Sequence, residues 1–258
     1  MPTNLIVFEA PWDDNFHAFD QMTVKPHFEG LVRNIDGIKL YYERFFNLAS
    51  LQYGLQVAFN NIHDGQCIIY IAGHGQNGAF GGGAANINVG PFVNYMTGLF
   101  NNNFHLYGLM FGCCNIGNND ALSVLANGQG SANWVHAYTP SVDWLPSTLL
   151  DMSIVSNMVK AANHDGGAVM NAAGILNHYC DGLEVFNGNL ILNQADVNDN
   201  NGKVDPVSMR DSFRIWVGPM GAALAQDRSA DALAILDQRK VNFNNDNELQ
   251  PNVAANQW

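Results

Sequence analysis

Two side chains in this sequence have the chemistry to break an acyl bond together: His74 and Cys114. A thiolate is a strong nucleophile, and a nearby imidazole can take up the thiol proton and pass it to a leaving amine. Each residue follows a continuous apolar run. Cys67-Ile68-Ile69-Tyr70-Ile71-Ala72 gives way to Gly73-His74-Gly75, and Leu106-Tyr107-Gly108-Leu109-Met110-Phe111 gives way to Gly112-Cys113-Cys114. Taken singly, a cysteine in such surroundings reads as a packing residue and a histidine between glycines as a loop residue. Their joint placement carries the catalytic reading. The adjacent Cys113 is a second candidate nucleophile, and Cys67 and Cys180 read as packing residues.

The two runs have the length and composition of strands buried on both faces of a parallel sheet. Residues just beyond the carboxyl ends of neighbouring parallel strands gather in one crevice. The fold is therefore expected to bring His74 and Cys114 together, although they lie far apart in sequence. The glycines around His74 would let the backbone come close to a substrate and offer N–H groups to a developing oxyanion.

The rest of the chain supplies elements to complete such a sheet. Asn4 to Phe8 reads as a strand followed by a long loop, Ile38 to Tyr42 as a second strand, and Asn133 to Tyr138 as a fifth. Helices are expected over Ser50 to Asn60, Pro91 to Asn101, Ser147 to Ala162 and Ser208 to Ala225. The alternation predicts an α/β domain with a mainly parallel sheet, right-handed crossovers and helices on both faces. Gly73 to Gly83 has no period and reads as a mobile loop. Residues 1–240 are expected to form one domain, with the asparagine-rich stretch from Val241 to Trp258 as an extended or poorly ordered tail.

The totals narrow the function. A 258-residue chain that is 47% hydrophobic can bury a full core. A net charge of -12 disfavours nucleic acid as a partner, because that affinity rests on lysine and arginine displacing counterions. No stretch approaches the apolar length of a membrane span, so no membrane anchor is expected, and the start of the chain lacks the features of a secretion signal. Four irregularly spaced cysteines do not form a disulfide framework. A cytoplasmic protein with reduced thiols is the expectation.

The two motifs together resemble those of the caspase-like cysteine peptidases of clan CD. These place an apolar strand before His-Gly, here His74-Gly75, and a second before Cys-x-x-Gly, here Cys114-Asn115-Ile116-Gly117. A third similarity, to bacterial legumain-like members, is the Asp-rich turn from Ala195 to Asp205 followed by a helix from Met209 to Val217. The resemblance implies a three-layer, caspase-hemoglobinase-like sandwich and a cysteine endopeptidase acting on a protein or peptide substrate, in bacterial defence and with a regulatory partner protein. By the same resemblance Cys114 is the nucleophile and His74 protonates the leaving amine. The backbone N–H groups of Gly75 and Cys114 would hold the oxyanion, and His136, Asp143 and Trp144 would contribute to the substrate pocket. Gly112 stands two residues before Cys114, where metacaspases and legumains carry Asp or Glu.

The chemistry requires no cofactor. Calcium is the one ion the sequence suggests, because Asp196, Asn198, Asn200 and Asp205 approximate a D-x-N-x-N loop of hard oxygen ligands. However, Asn201 is inserted before Gly202, and Ser208 replaces the usual bidentate acid. An Asx-rich turn is the competing reading. Two other functions fit the same fold: a thiol hydrolase or transferase acting on non-peptide substrates, and a catalytically silent binding module.

Overall fold

The computed structural model describes residues 2–12, 22–62, 65–76, 78–82, 87–100, 106–126, 132–164, 171–186, 190–193, 206–218 and 225–248. Its centre is three strands, β1 (Thr3–Glu9), β3 (Gln66–Ala72) and β7 (Leu106–Gly112), in which every residue except Gln66 is buried. Strands covered on both faces must be apolar at successive positions, which is why these segments show no alternation in sequence. β2 (Ile38–Arg44) pairs with β1 at one side, and β8 (Trp134–Tyr138) pairs with β7 at the other, all in parallel. β11 (Phe213–Val217) and β12 (Gln226–Asp227) extend the sheet beyond β8 in antiparallel fashion, giving the order β12-β11-β8-β7-β3-β1-β2.

Period-two alternation divides the core into two layers. Leu5, Val7, Ile68, Tyr70, Met110 and Ile215 face α1 (Lys25–Asn34), α4 (Trp144–His164), α5 (Ala172–Glu184) and α6 (Ser229–Glu248). Ile6, Phe8, Ile69, Ile71, Leu109, Phe111 and Trp216 face α2 (Leu48–Asn61), α3 (Val89–Phe100) and the 3-10 turns at Asp120–Ala126. The chain is thus a three-layer α/β sandwich of the caspase-hemoglobinase-like kind, with a mainly parallel central sheet. A capping box, in which Asn47 and Ser50 satisfy each other's backbone N–H groups, fixes the start of α2.

The structure corrects three expectations. The described part of the span Ser208 to Ala225, residues 208–218 and 225, is not a helix: β9 (Ile191–Asn193) pairs with β10 (Val207–Ser208), a single 3-10 turn covers Met209–Asp211, and β11 follows. β11 is rich in aromatic and β-branched residues and places Phe213 and Ile215 in one core layer and Trp216 in the other, which only an extended chain can do. The glycine-rich segment after β3 is an antiparallel meander, with β4 (His74–Gln76), β5 (Ala79–Gly81) and β6 (Ile87–Asn88) in register. Lastly, α6 runs through to Glu248, so the boundary at residue 240 falls inside a helix; residues 249–258 lie outside the described residues. The Asp-rich turn with the candidate calcium ligands Asp196, Asn198, Asn200 and Asp205 also lies outside them.

Candidate active site

β3 and β7 are parallel neighbours with Ala72 paired to Gly112, so the residues after each leave the sheet at one edge. His74 opens the hairpin above β3, and Cys114 begins the turn above β7. The two segments touch through Gly75: a methyl group there would collide with the carbonyl oxygen of Cys114, so only glycine permits this approach. The Cys114 sulfur is half-buried against residue 142, accepting from the Val142 N–H at 3.3 Å and lying 3.5 Å from the Val142 carbonyl oxygen. Cys113 points the other way, fully buried with its sulfur 3.5 Å from the Ile71 carbonyl. Burial pushes its thiol well above the ordinary range. Of the adjacent pair, only Cys114 reaches the crevice.

Burial also raises the Cys114 thiol. The backbone N–H groups of Val142 and Cys114 partly oppose this, and the Asp143 carboxylate adds to it. The segment after Cys114 is a one-turn 3-10 helix, Ile116–Asn118, too short to supply a helix dipole that would lower this value. The resting group is therefore a thiol, and the turn that carries it is rigidly tied. Asn115 adopts left-handed backbone angles with φ 59° and donates its N–H to the Pro140 carbonyl. Asn118 donates to the Thr139 carbonyl at 2.6 Å, and Arg214 of β11 to the Gly117 carbonyl at 3.2 Å.

The exposed His74 ring has its Nε2 2.5 Å from the carbonyl oxygen of Trp12. A carbonyl can only accept, so Nε2 carries the proton and Nδ1 is the ring's acceptor. Trp12 stacks edge-on against the same imidazole, with centroids 5.6 Å apart, and its indole donates to Glu9 at 2.7 Å. Glu9, the last residue of β1, is 2% exposed and also accepts from Thr23, the Val24 N–H and Tyr42. A buried carboxylate with four donors thus fixes Trp12, and Trp12 fixes the histidine.

Asp143 and Trp144 lie on the same edge. Asp143 is close enough to Cys114 to raise its thiol, and the Trp144 ring packs edge-on against Trp12 and against His27. The Trp144 indole N–H is buried with no hydrogen-bond partner among the described residues. His136 does not join this group. It sits mid-strand in β8, wholly buried, its Nδ1 2.7 Å from the Tyr179 hydroxyl, and burial lowers its pKa to about 3. Alternation explains this: residue 136 faces the same helical layer as Trp134 and Tyr138, whereas the crevice lies past the strand's end.

Asp151 of α4 was not anticipated. It is wholly buried beneath Gly112, accepts from Tyr70 at 2.7 Å and Tyr138 at 2.5 Å, and burial pushes its pKa up to about 7. A Cβ on Gly112 would come within 2.9 Å of its Oδ2 and would strike the Tyr70 hydroxyl. The space a side chain at 112 would take is thus filled by this cluster. Among the described residues no three His, Cys, Asp or Glu side chains are grouped to hold a metal ion, and no helix is long and apolar enough to cross a membrane.

No protein-family model matches the chain, and no curated protein matches it. Solved structures do. They include a secreted C11 cysteine protease from Bacteroides thetaiotaomicron in complex with an irreversible peptide inhibitor, with TM-score 0.51 and 11% identity, covering 84% of this chain and 66% of that one. The secreted C11 cysteine protease iotapain from the same organism gives TM-score 0.51 and 10% identity over 84% of this chain and 67% of its own. An inactive zymogen C11 protease from Parabacteroides distasonis gives TM-score 0.51 and 8% identity over 84% and 62%. The chain therefore spans about two thirds of the length of these proteases, and the likeness is one of fold.

Proposed function

We propose that this protein is a cysteine endopeptidase that cleaves a protein substrate through Cys114 and His74. The observation that carries the proposal is the contact of Gly75 with the Cys114 backbone, which puts the segment bearing the imidazole directly against the segment bearing the accessible thiol. The proteases that share the fold support it.

In this reading the Cys114 proton moves to His74 Nδ1 as the sulfur attacks the scissile carbonyl. The negative charge that forms on the carbonyl oxygen is held by the N–H groups of Gly75 and Cys114. His74 then protonates the leaving amine, which departs and leaves a thioester. Water attacks the thioester, giving its proton to His74, and the acid product leaves as the thiol is restored. A raised thiol pKa suits a mechanism in which proton transfer accompanies attack. The Trp12 carbonyl supports His74 by fixing its tautomer and stabilising the imidazolium that forms.

A reducing, cytoplasmic setting belongs to the proposal, supported by four free cysteines; cell fractionation tests it. The activity is tested by profiling a peptide library with purified protein and its Cys114→Ala and His74→Ala variants. Cleavage by the parent and its loss in both variants, with unchanged circular dichroism, is expected. Equal turnover by Cys114→Ala would refute the assignment.

A further inference from the structure

Beside Cys114, the loop that follows it and Gly78 of the hairpin segment bound an open cleft of about 410 Å³, lined by Gly78, Asn115, Asn118, Asn119 and Asp120. The hydrogen bonds these side chains already make determine which of their atoms remain for a ligand. Asn118 uses its Nδ2 on the Thr139 carbonyl and Asn115 uses its Nδ2 on Ser141, so both present Oδ1 as an acceptor. Asn119 uses its Oδ1 on the Ala121 N–H, which turns its Nδ2 toward Gly78 across the cleft. Asp120 gives one oxygen to Arg214, and its side chain is 84% exposed. The same guanidinium also pairs with Asp227, so one cation faces two carboxylates and the rim keeps a net negative charge. Acceptors outnumber donors, and the surplus charge is negative.

The position of the cleft relative to the chemistry is equally defined. The hairpin that carries His74, the residue assigned to protonate the leaving amine, also supplies Gly78 to the cleft, and Asn115 on the opposite wall directly follows Cys114. We propose that the cleft is a substrate subsite for the leaving-group side of the scissile bond, and that it selects a basic, donor-bearing side chain there. This inference rests on the hydrolase reading above.

The test uses internally quenched peptides with one fixed acyl-side sequence, taken from library profiling, and Lys, Gln or Glu at the first two positions after the cut. The expected kcat/KM for Lys exceeds that for Glu by about threefold to tenfold, the scale of a partly exposed charge pair with one hydrogen bond. Asp120→Asn should bring the ratio close to one, and Asp120→Lys should invert it. A ratio near one in the parent overturns the proposal, as does a ratio unmoved by Asp120→Lys. An acyl-side fluorogenic amide with no residue after the cut reads the hydrolase activity separately. Cys114-dependent cleavage of that amide without leaving-group preference defeats the subsite alone, whereas no Cys114-dependent cleavage of any substrate defeats both.

Discussion

Replacing Asp151 by Asn should change how the protein's stability depends on pH. Asp151 is wholly buried with only two tyrosine hydroxyls as donors, and its pKa rises from the ordinary 3.8 to about 7 because burial penalises the charge. A carboxyl whose folded value lies above its unfolded value stabilises fully below the unfolded value, and this contribution is lost as pH rises through the folded value. At ~1.36 kcal/mol per pH unit, the gap amounts to about 4 kcal/mol. Asn keeps the shape and the network: its oxygen accepts from one tyrosine, while its amide donates to Tyr138, whose hydroxyl lies 3.4 Å from the Ser147 carbonyl as an alternative acceptor. The stability of Asp151→Asn relative to the parent should therefore rise by about 4 kcal/mol between pH 4 and pH 8. His136 acts in the opposite sense. Burial lowers its pKa from 6.5 to about 3, so its contribution is lost as pH falls through that window. The parent's curve between pH 4 and 6.5 should thus be flattened by two opposed slopes, and the variant should expose the rising one. Urea unfolding followed by tryptophan fluorescence at half-unit pH steps measures this. A difference between the two proteins that stays constant within about 1 kcal/mol would show that Asp151 is ionised throughout, and the burial argument would fail.

Three further outcomes follow from the site. Without substrate, alkylation of Cys114 by iodoacetamide should rise with pH at values above those of an ordinary thiol, because burial raises its pKa; mass spectrometry of the labelled peptide checks this, and a plateau already reached at neutral pH would contradict it. Glu9→Gln replaces an acceptor oxygen with a donor facing donors, so it should cost about 2 kcal/mol in urea unfolding. It should also lower kcat more than it raises KM, since it frees Trp12 and with it His74. Cys113→Ala should retain turnover and lose about 1 kcal/mol for a small cavity, which separates the two adjacent thiols by activity and denaturation assays.

What could be read from the sequence depended on how much of each element is buried. β3 and β7 were legible because burial on both faces demands an apolar residue at nearly every position, and the site was legible because it stands at their ends. α6 was hidden for the converse reason: among its described positions only Ala232 and Leu236 are buried apolar residues, too few to set a period. α1 was readable from Phe28, Leu31, Val32 and Ile35 at helical spacing after Pro26, and was missed. α5 was readable, with Ile175, Leu176, Tyr179, Cys180 and Leu183 at helical spacing after the cap Asn171, and was missed. β11 was misread because a five-residue segment with four apolar residues fits either period until its sheet partner is known.

The groups that tune the site follow a different rule. The contact that fixes the His74 tautomer is made by the backbone carbonyl of Trp12, which no residue type encodes. Glu9 and Asp151, however, left a trace: each is a single acid beside or within an apolar segment, Glu9 after Leu5 to Phe8 and Asp151 between Leu150 and Ile154. A charge in such a place must find partners once the segment is buried. Glu9 finds four donors and anchors the histidine. Asp151 finds two and fills the space beneath Gly112, which leaves position 112 no room for a side chain of its own. Asp151 thus holds its carboxyl, from α4, in the volume that a side chain at position 112 of the strand would enter. Restoring an acid at 112 should be incompatible with this packing, so Gly112→Asp is expected to unfold the parent and to be tolerated better when Asp151 and Tyr70 are both made smaller. Equal destabilisation in the two backgrounds, measured by urea unfolding, would show that the cluster and position 112 do not share that space.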